Sequence, residues 1–299
     1  MAAMTTSRPG WLVYALATTL LWGLWGALAG IPVQNGFPET LVYVVWALTM
    51  IPPALLALAR AGWRVHRDRR SVAYGLAIGL LGAGGQMILF HAVKEGPTYL
   101  IFPLISLSPV ITIVLSYLFL RERTGALGVA GIVLALCALP LFDYSPGQDS
   151  VRYGWWFVLA LGVLVAWGLQ AYFIKRANAG MDAESIFFYM TISALAFIPL
   201  ALYMTDFSKP INYGPGGPLL AAVTQMLNAV GALTLVYAFR YGKALVVSPL
   251  VNAGAPLLTT IVSMAMAATL PHGFKLAGIG LSLAAALFLA LQPDDPAAA

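Results

Sequence analysis

The chain has 299 residues, of which 61% are hydrophobic and only 9% charged, with a mean hydropathy of +0.86. Soluble domains carry about 25% charged residues, so a water-soluble globule and a disordered chain are both excluded, and lipid must be the solvent for most of the surface. The one cysteine, Cys137, excludes an intrachain disulfide and a cysteine-cluster metal site. The net charge of +5 suits either nucleic acid or an excess of cytoplasmic Lys and Arg, and the positions of the charges favour the second.

A bilayer core needs about 20 apolar residues per helix. In chain order the sequence predicts ten such spans: Trp11 to Ala29, Leu41 to Ala59, Val72 to Val93, Thr98 to Leu120, Ala126 to Phe142, Tyr153 to Ile174, Ser185 to Met204, Leu219 to Phe239, Leu245 to Ala268 and Phe274 to Leu291. Runs of this length must satisfy their own backbone in hydrocarbon, so they are helices rather than barrel strands. The expected fold is an all-α integral membrane bundle. Arg8 before the first run, with no small-residue cleavage site after it, predicts a retained helix rather than a signal peptide. With the N-terminus inside, twelve of the sixteen basic residues fall in cytoplasmic segments, the Arg64 to Arg70 cluster among them; only Lys94, Arg152, Lys209 and Lys275 fall outside. Both termini are therefore expected in the cytoplasm.

The two halves repeat. Residues 92 to 103 match 238 to 249 at an offset of 146, pairing Ala92 with Ala238, Lys94 with Arg240, Gly96 with Gly242 and Pro103 with Pro249. At 147, Pro109 pairs with Pro256, Thr112 with Thr259, and Ala130-Gly131-Ile132 with Ala277-Gly278-Ile279. At 145, Trp22-Gly23 pairs with Trp167-Gly168. Residues 1–145 and 146–299 thus each hold five predicted helices in one membrane unit. An odd number makes the second half enter from the opposite face. Inverted halves that exchange conformations open a shared cavity to alternate sides.

Small residues allow close helix contact in lipid. Gly75, Gly79 and Ala83 form such a stripe in the third span, and Gly23, Gly26 and Gly30 another in the first. Pro103, Pro109, Pro249 and Pro256 each remove a backbone donor and are expected to bend spans four and nine at related positions. Deep polar side chains are few: Gln86, Ser106, Ser108, Gln170, Gln225, Asn228 and Asn252. No carboxylate falls in the middle of a span, so a buried cation site or carboxylate relay is not expected. The predicted cavity lining is Trp22, Trp25, Gln86, Trp167, Gln170, Asn228 and Asn252, aromatics for the apolar part of a solute and amides for the polar part. His91 is a candidate proton sensor or a local polar contact beside Lys94 and Glu95.

No enzyme constellation is evident. The histidines at 66, 91 and 272 have no metal-ligand spacing, Ser106-Leu107-Ser108 has no partner base, and no phosphate loop is present. No catalytic residue, metal, cofactor or nucleic-acid partner is expected; the partners are lipid and a small solute.

The five-plus-five plan, the two Trp-Gly pairs, and Ala92 to Gly96 followed by Pro103, Pro109 and Arg121-Glu122-Arg123 resemble the EamA-type proteins of the drug/metabolite transporter superfamily. The likeness covers essentially the whole chain. It implies a ten-helix carrier in the cell (inner or plasma) membrane, moving amino acids, other metabolites or toxic organic compounds, often outward. Sugar uptake and a non-transporting membrane scaffold are the alternatives. One departure is visible: the acidic helix end at Glu122 has no acidic equivalent in Ala267 to Pro271.

Overall fold

The computed structural model describes residues 10–95, 101, 104–143, 154–267 and 273–291. Arg8, Pro103 and Arg152, and the start of the predicted fourth span, lie outside them. The described chain is helical. Seven helices are long and apolar enough to cross a membrane, and three shorter apolar helices occupy the places of predicted spans four, five and ten. In order, α1 is Gly10–Leu28, α2 Glu39–Arg60, α3 Arg69–Glu95, α4 Leu104–Phe119, α5 Ala126–Asp143, α6 Trp155–Ala177, α7 Ala183–Tyr203, α8 Leu220–Tyr241, α9 Ala244–Ala267 and α10 Gly273–Leu291.

Local sequence explains the ends and breaks. Asp182 caps α7 by accepting the Ser185 amide at 2.7 Å. Asp68 accepts the Ser71 amide at 3.0 Å beside the start of α3, and these hydrogen bonds hold its carboxyl below the usual range. Proline cannot donate within a helix. Pro52 follows a break at Met50 in α2, and Pro199 a break at Phe197 in α7, 147 positions on in each case. Of the four predicted bends, one is seen as an interruption: α4 breaks at Leu107, just before Pro109. Helix α9 runs unbroken through Pro249 and Pro256, although Pro256 cannot donate to the carbonyl of Asn252.

Packing follows a repeated pattern. Helix α1 lies against α8 and α9, and α6 against α3 and α4, while α5 and α10 pair with each other. The glycine stripe of α3 is an interface, as its spacing predicts: Gly75 faces the Tyr189 ring and Gly79 faces Ser193, both on α7, whereas Gly82 and Gly85 face α6. Polar straps join loop ends. Asn35 Nδ2 donates to the Gly216 carbonyl (3.0 Å) and Asn212 Nδ2 to the Asn35 carbonyl (2.9 Å), tying the α1–α2 loop to the α7–α8 loop. At the other end the His66 amide donates to Ser185 Oγ (3.1 Å) and the Tyr189 hydroxyl to the His66 carbonyl (2.7 Å), tying the α2–α3 loop to the start of α7.

Candidate functional site

Each Trp-Gly pair forms a three-helix joint. In α1 the Trp22 indole N–H donates to the carbonyl of Asn228 in α8 at 3.3 Å, and its ring fills the space over Gly231, where a Cβ would come within 2.5 Å of Trp22 Cδ1. In α6 the Trp167 indole N–H donates to the carbonyl of Gly82 in α3 at 3.4 Å, and its ring covers Gly85, where a Cβ would lie 2.6 Å from Nε1. The adjoining glycines face the other way. The Gly23 carbonyl accepts from Thr259 Oγ1 of α9 at 3.0 Å, and the Gly168 carbonyl accepts from Thr112 Oγ1 of α4 at 3.0 Å. Beside them Leu258 packs on Gly23 and Ile111 on Gly168, so closely that neither glycine could carry a Cβ. Every partner on one side maps to its counterpart by the 145, 146 or 147 offsets.

Two bodies result: α1 with α8 and α9, and α6 with α3 and α4. Among the described residues α1 has no packed interface with α6, nor α3 with α8. The bodies meet chiefly where α4 packs on α9, with smaller contacts of α6 to α8 and α9. The predicted amides divide between the bodies. In the first, buried Gln225 is the centre: its Oε1 accepts the Trp25 indole N–H at 3.2 Å and Asn228 Nδ2 at 3.4 Å. Asn252 donates from Nδ2 to the Ser248 carbonyl on its own helix at 2.9 Å, which leaves its oxygen for another partner. In the second, Gln170 lies over Gly82, and Gln86 stands one turn beyond that glycine; both are half-buried, and neither makes a side-chain hydrogen bond among the described residues. His91 is exposed on α3.

The predicted residues therefore form two groups, one per body. Trp22 and Trp167 serve as joints between helices, with their N–H groups bound to main-chain carbonyls. Gln225, Thr112 and Thr259 were absent from the predicted lining and are central to the geometry; the Thr112–Thr259 pairing at offset 147 was the signal in the sequence. An apolar crevice of about 250 Å³ lies elsewhere, between α1, α9 and α10, bordered by Leu16, Thr19, Leu250, Leu258 and Ile261. None of the predicted lining residues borders it. No group of three or more His, Cys, Asp or Glu side chains suited to a metal ion occurs among the described residues.

Known proteins resemble the chain over most of its length. The profile of the EamA-like transporter family matches residues 9–142 and again residues 154–291. Protein RarD of Streptomyces exfoliatus is 26% identical over 269 residues, covering 85% of this chain and 78% of that protein. An uncharacterized protein of Methanocaldococcus jannaschii is 32% identical over 78 residues, which span 26% of this chain and 57% of its own length. A solved crystal structure superposes with a TM-score of 0.79 at 18% identity, covering 95% of this chain and 99% of its own, and so shares the fold.

Proposed function

The chain belongs to the EamA-like transporter family of the drug/metabolite transporter superfamily, and from that premise we propose that it is a secondary carrier moving small organic solutes by alternating access. The family assigns a multi-pass membrane transporter of small solutes. The finer reading is ours: ten spans as two inverted five-helix repeats, residues 1–145 and 146–299, with both termini cytoplasmic. It is carried by the paired Trp-Gly joints, whose partners correspond one for one across the chain. The family profile's two matches, one per half, support the same division.

We assign recognition to the seam between the bodies. In this reading Gln86 and Gln170 offer amides from one body and Asn228 and the Asn252 oxygen offer theirs from the other, with Trp25 and buried Gln225 behind them. Because Trp22 and Trp167 already donate their N–H groups to main-chain carbonyls, they offer ring faces and rigidity rather than hydrogen bonds. Amides satisfy both an ammonium and a carboxylate without placing a net charge in lipid. This favours zwitterions, amino acids and related metabolites, and we assign export as the direction. Such a solute must stabilise the two conformations nearly equally, since tight binding to one alone would stop turnover.

Proteoliposomes loaded with labelled amino acids, with and without a pH gradient, test the proposal. Counterflow of an amino acid is expected. Gln170→Ala and Asn252→Ala should each lower the transport rate about tenfold, as expected for about 1.4 kcal/mol of lost interaction, with membrane insertion unchanged. Sugar flux in place of amino-acid flux would replace the substrate class. No flux of any solute would leave a scaffold.

A further inference from the structure

Building on the carrier reading and on the orientation given by the basic residues, we propose that Lys175, Glu122 and the α8–α9 turn form a cytoplasmic latch, closed in this structure, whose release opens the inward path. The interactions concerned cross from one body to the other. Lys175, in the last turn of α6, donates from Nζ to the carbonyl of Gly242 at the end of α8 (2.6 Å). The same Nζ lies 4.0 Å from Glu122 Oε1, just beyond α4. The other carboxylate oxygen of Glu122 accepts the amide of Leu245 in the first turn of α9 at 3.0 Å. Lys243 Nζ returns the tie to the Arg123 carbonyl at 2.8 Å, and Asn178 Nδ2 of the α6 terminus reaches the Val236 carbonyl of α8 at 3.1 Å.

The sequence does not repeat this chemistry at the equivalent positions. The repeat offsets relate Glu122, Lys175, Asn178, Val236, Gly242 and Lys243 to Thr269, Gly30, Val33, Phe90, Gly96 and Pro97, none of them charged. Nor are the equivalent helices joined: α1 shares no hydrogen bond and no packed interface with α3 among the described residues, whereas α6 is bound to α8. The structure is therefore tied shut at the Lys175 end.

An ion pair suits a reversible closure. The Glu122 side chain is 9% exposed and that of Lys175 23%. For a pair withdrawn from water, desolvation largely cancels the Coulomb attraction, so opening into a hydrated vestibule is cheap. Removing one partner is different, because the closed state then keeps an uncompensated charge.

The test is a distance measurement on the full chain in lipid nanodiscs, without solute. Cys137→Ser removes the exposed native thiol. Gly10→Cys on α1 and Ala179→Cys after α6 carry nitroxide labels, one on each body and both at the Lys175 end. In this background a short distance should dominate. Lys175→Met should raise the ratio of long to short distances about tenfold, taking the lower end of the cost of an orphaned charge because the site is partly hydrated; Lys175→Arg should keep the parent distribution. If Lys175→Met does not insert, Lys243→Ala serves, with a smaller shift in the same direction. A distribution unchanged by Lys175→Met, or by Lys243→Ala where that is used, overturns the latch. Since the readout needs no transported solute, a shift in distance with no flux in proteoliposomes would overturn the carrier proposal and leave the latch standing.

Discussion

The two three-helix bodies have one skeleton and different linings. Around Trp22-Gly23 the α1/α8 contact is dressed with polar groups: Thr18 Oγ1 lies 2.8 Å from Thr234 Oγ1, and Trp25, Gln225 and Asn228 form a bonded cluster. Around Trp167-Gly168 the equivalent positions are Val163 and Ile88, which share an apolar cluster, and Gly79, Gly82 and Gln170, with no such network among the described residues. The shared parts are those that set helix spacing, while the parts that differ project beyond it. The joint is thus common to both bodies while the walls differ, and the α1/α8 wall is the polar one.

Substitutions can break or sharpen this contrast. The largest effect is expected at the joints. Gly85→Val and Gly231→Val each force a side chain into a tryptophan ring and should cost about 3 kcal/mol, read as a comparable fall in thermal unfolding midpoint for both. A loss confined to one would show that the joints are not equivalent. Next, Gln225→Ala leaves the Trp25 and Asn228 donors without their acceptor and should cost about 2 kcal/mol, whereas Gly79→Ala at the equivalent position drives a methyl against Ser193 and the Tyr189 carbonyl of α7 and should destabilise through packing. Thr112→Val and Thr259→Val each delete one interhelical hydrogen bond, worth about 0.6 kcal/mol, and should be indistinguishable in a denaturation series. The smallest change is expected from Thr18→Val combined with Thr234→Ile, which copies the apolar wall onto the polar one; removing both partners together should be neutral to within about 0.5 kcal/mol.

The repeat was legible because glycine, proline and tryptophan hold their places for backbone reasons, and the offsets of 145 to 147 relate the observed joint contacts residue by residue. The role of Trp22 and Trp167 was not. Their N–H partners are main-chain carbonyls of Asn228 and Gly82, and a carbonyl carries no signature in a sequence. The lack of carboxylates in mid-span draws attention to the amides, Gln225 among them, yet which amides bond each other depends on helix rotation, and that is why the central place of Gln225 shows only in the geometry. Glu122 stands out in the sequence as a break in the symmetry, whereas its partner Lys175 reads there as one more of the inside basic charges.

Each principal helix pair is pinned twice. Trp22 fastens α1 to α8 midway, and the Asn35–Asn212 strap fastens their connecting loops at one end; Trp167 does the same for α6 and α3, with the strap from His66 to Ser185 and Tyr189 at the other end. A lever secured at two points has no elbow, so displacement at one mouth of such a pair is transmitted along its length to the other. In the carrier we propose, this stiffness would keep the two mouths from standing open together, so that cargo could cross without a leak.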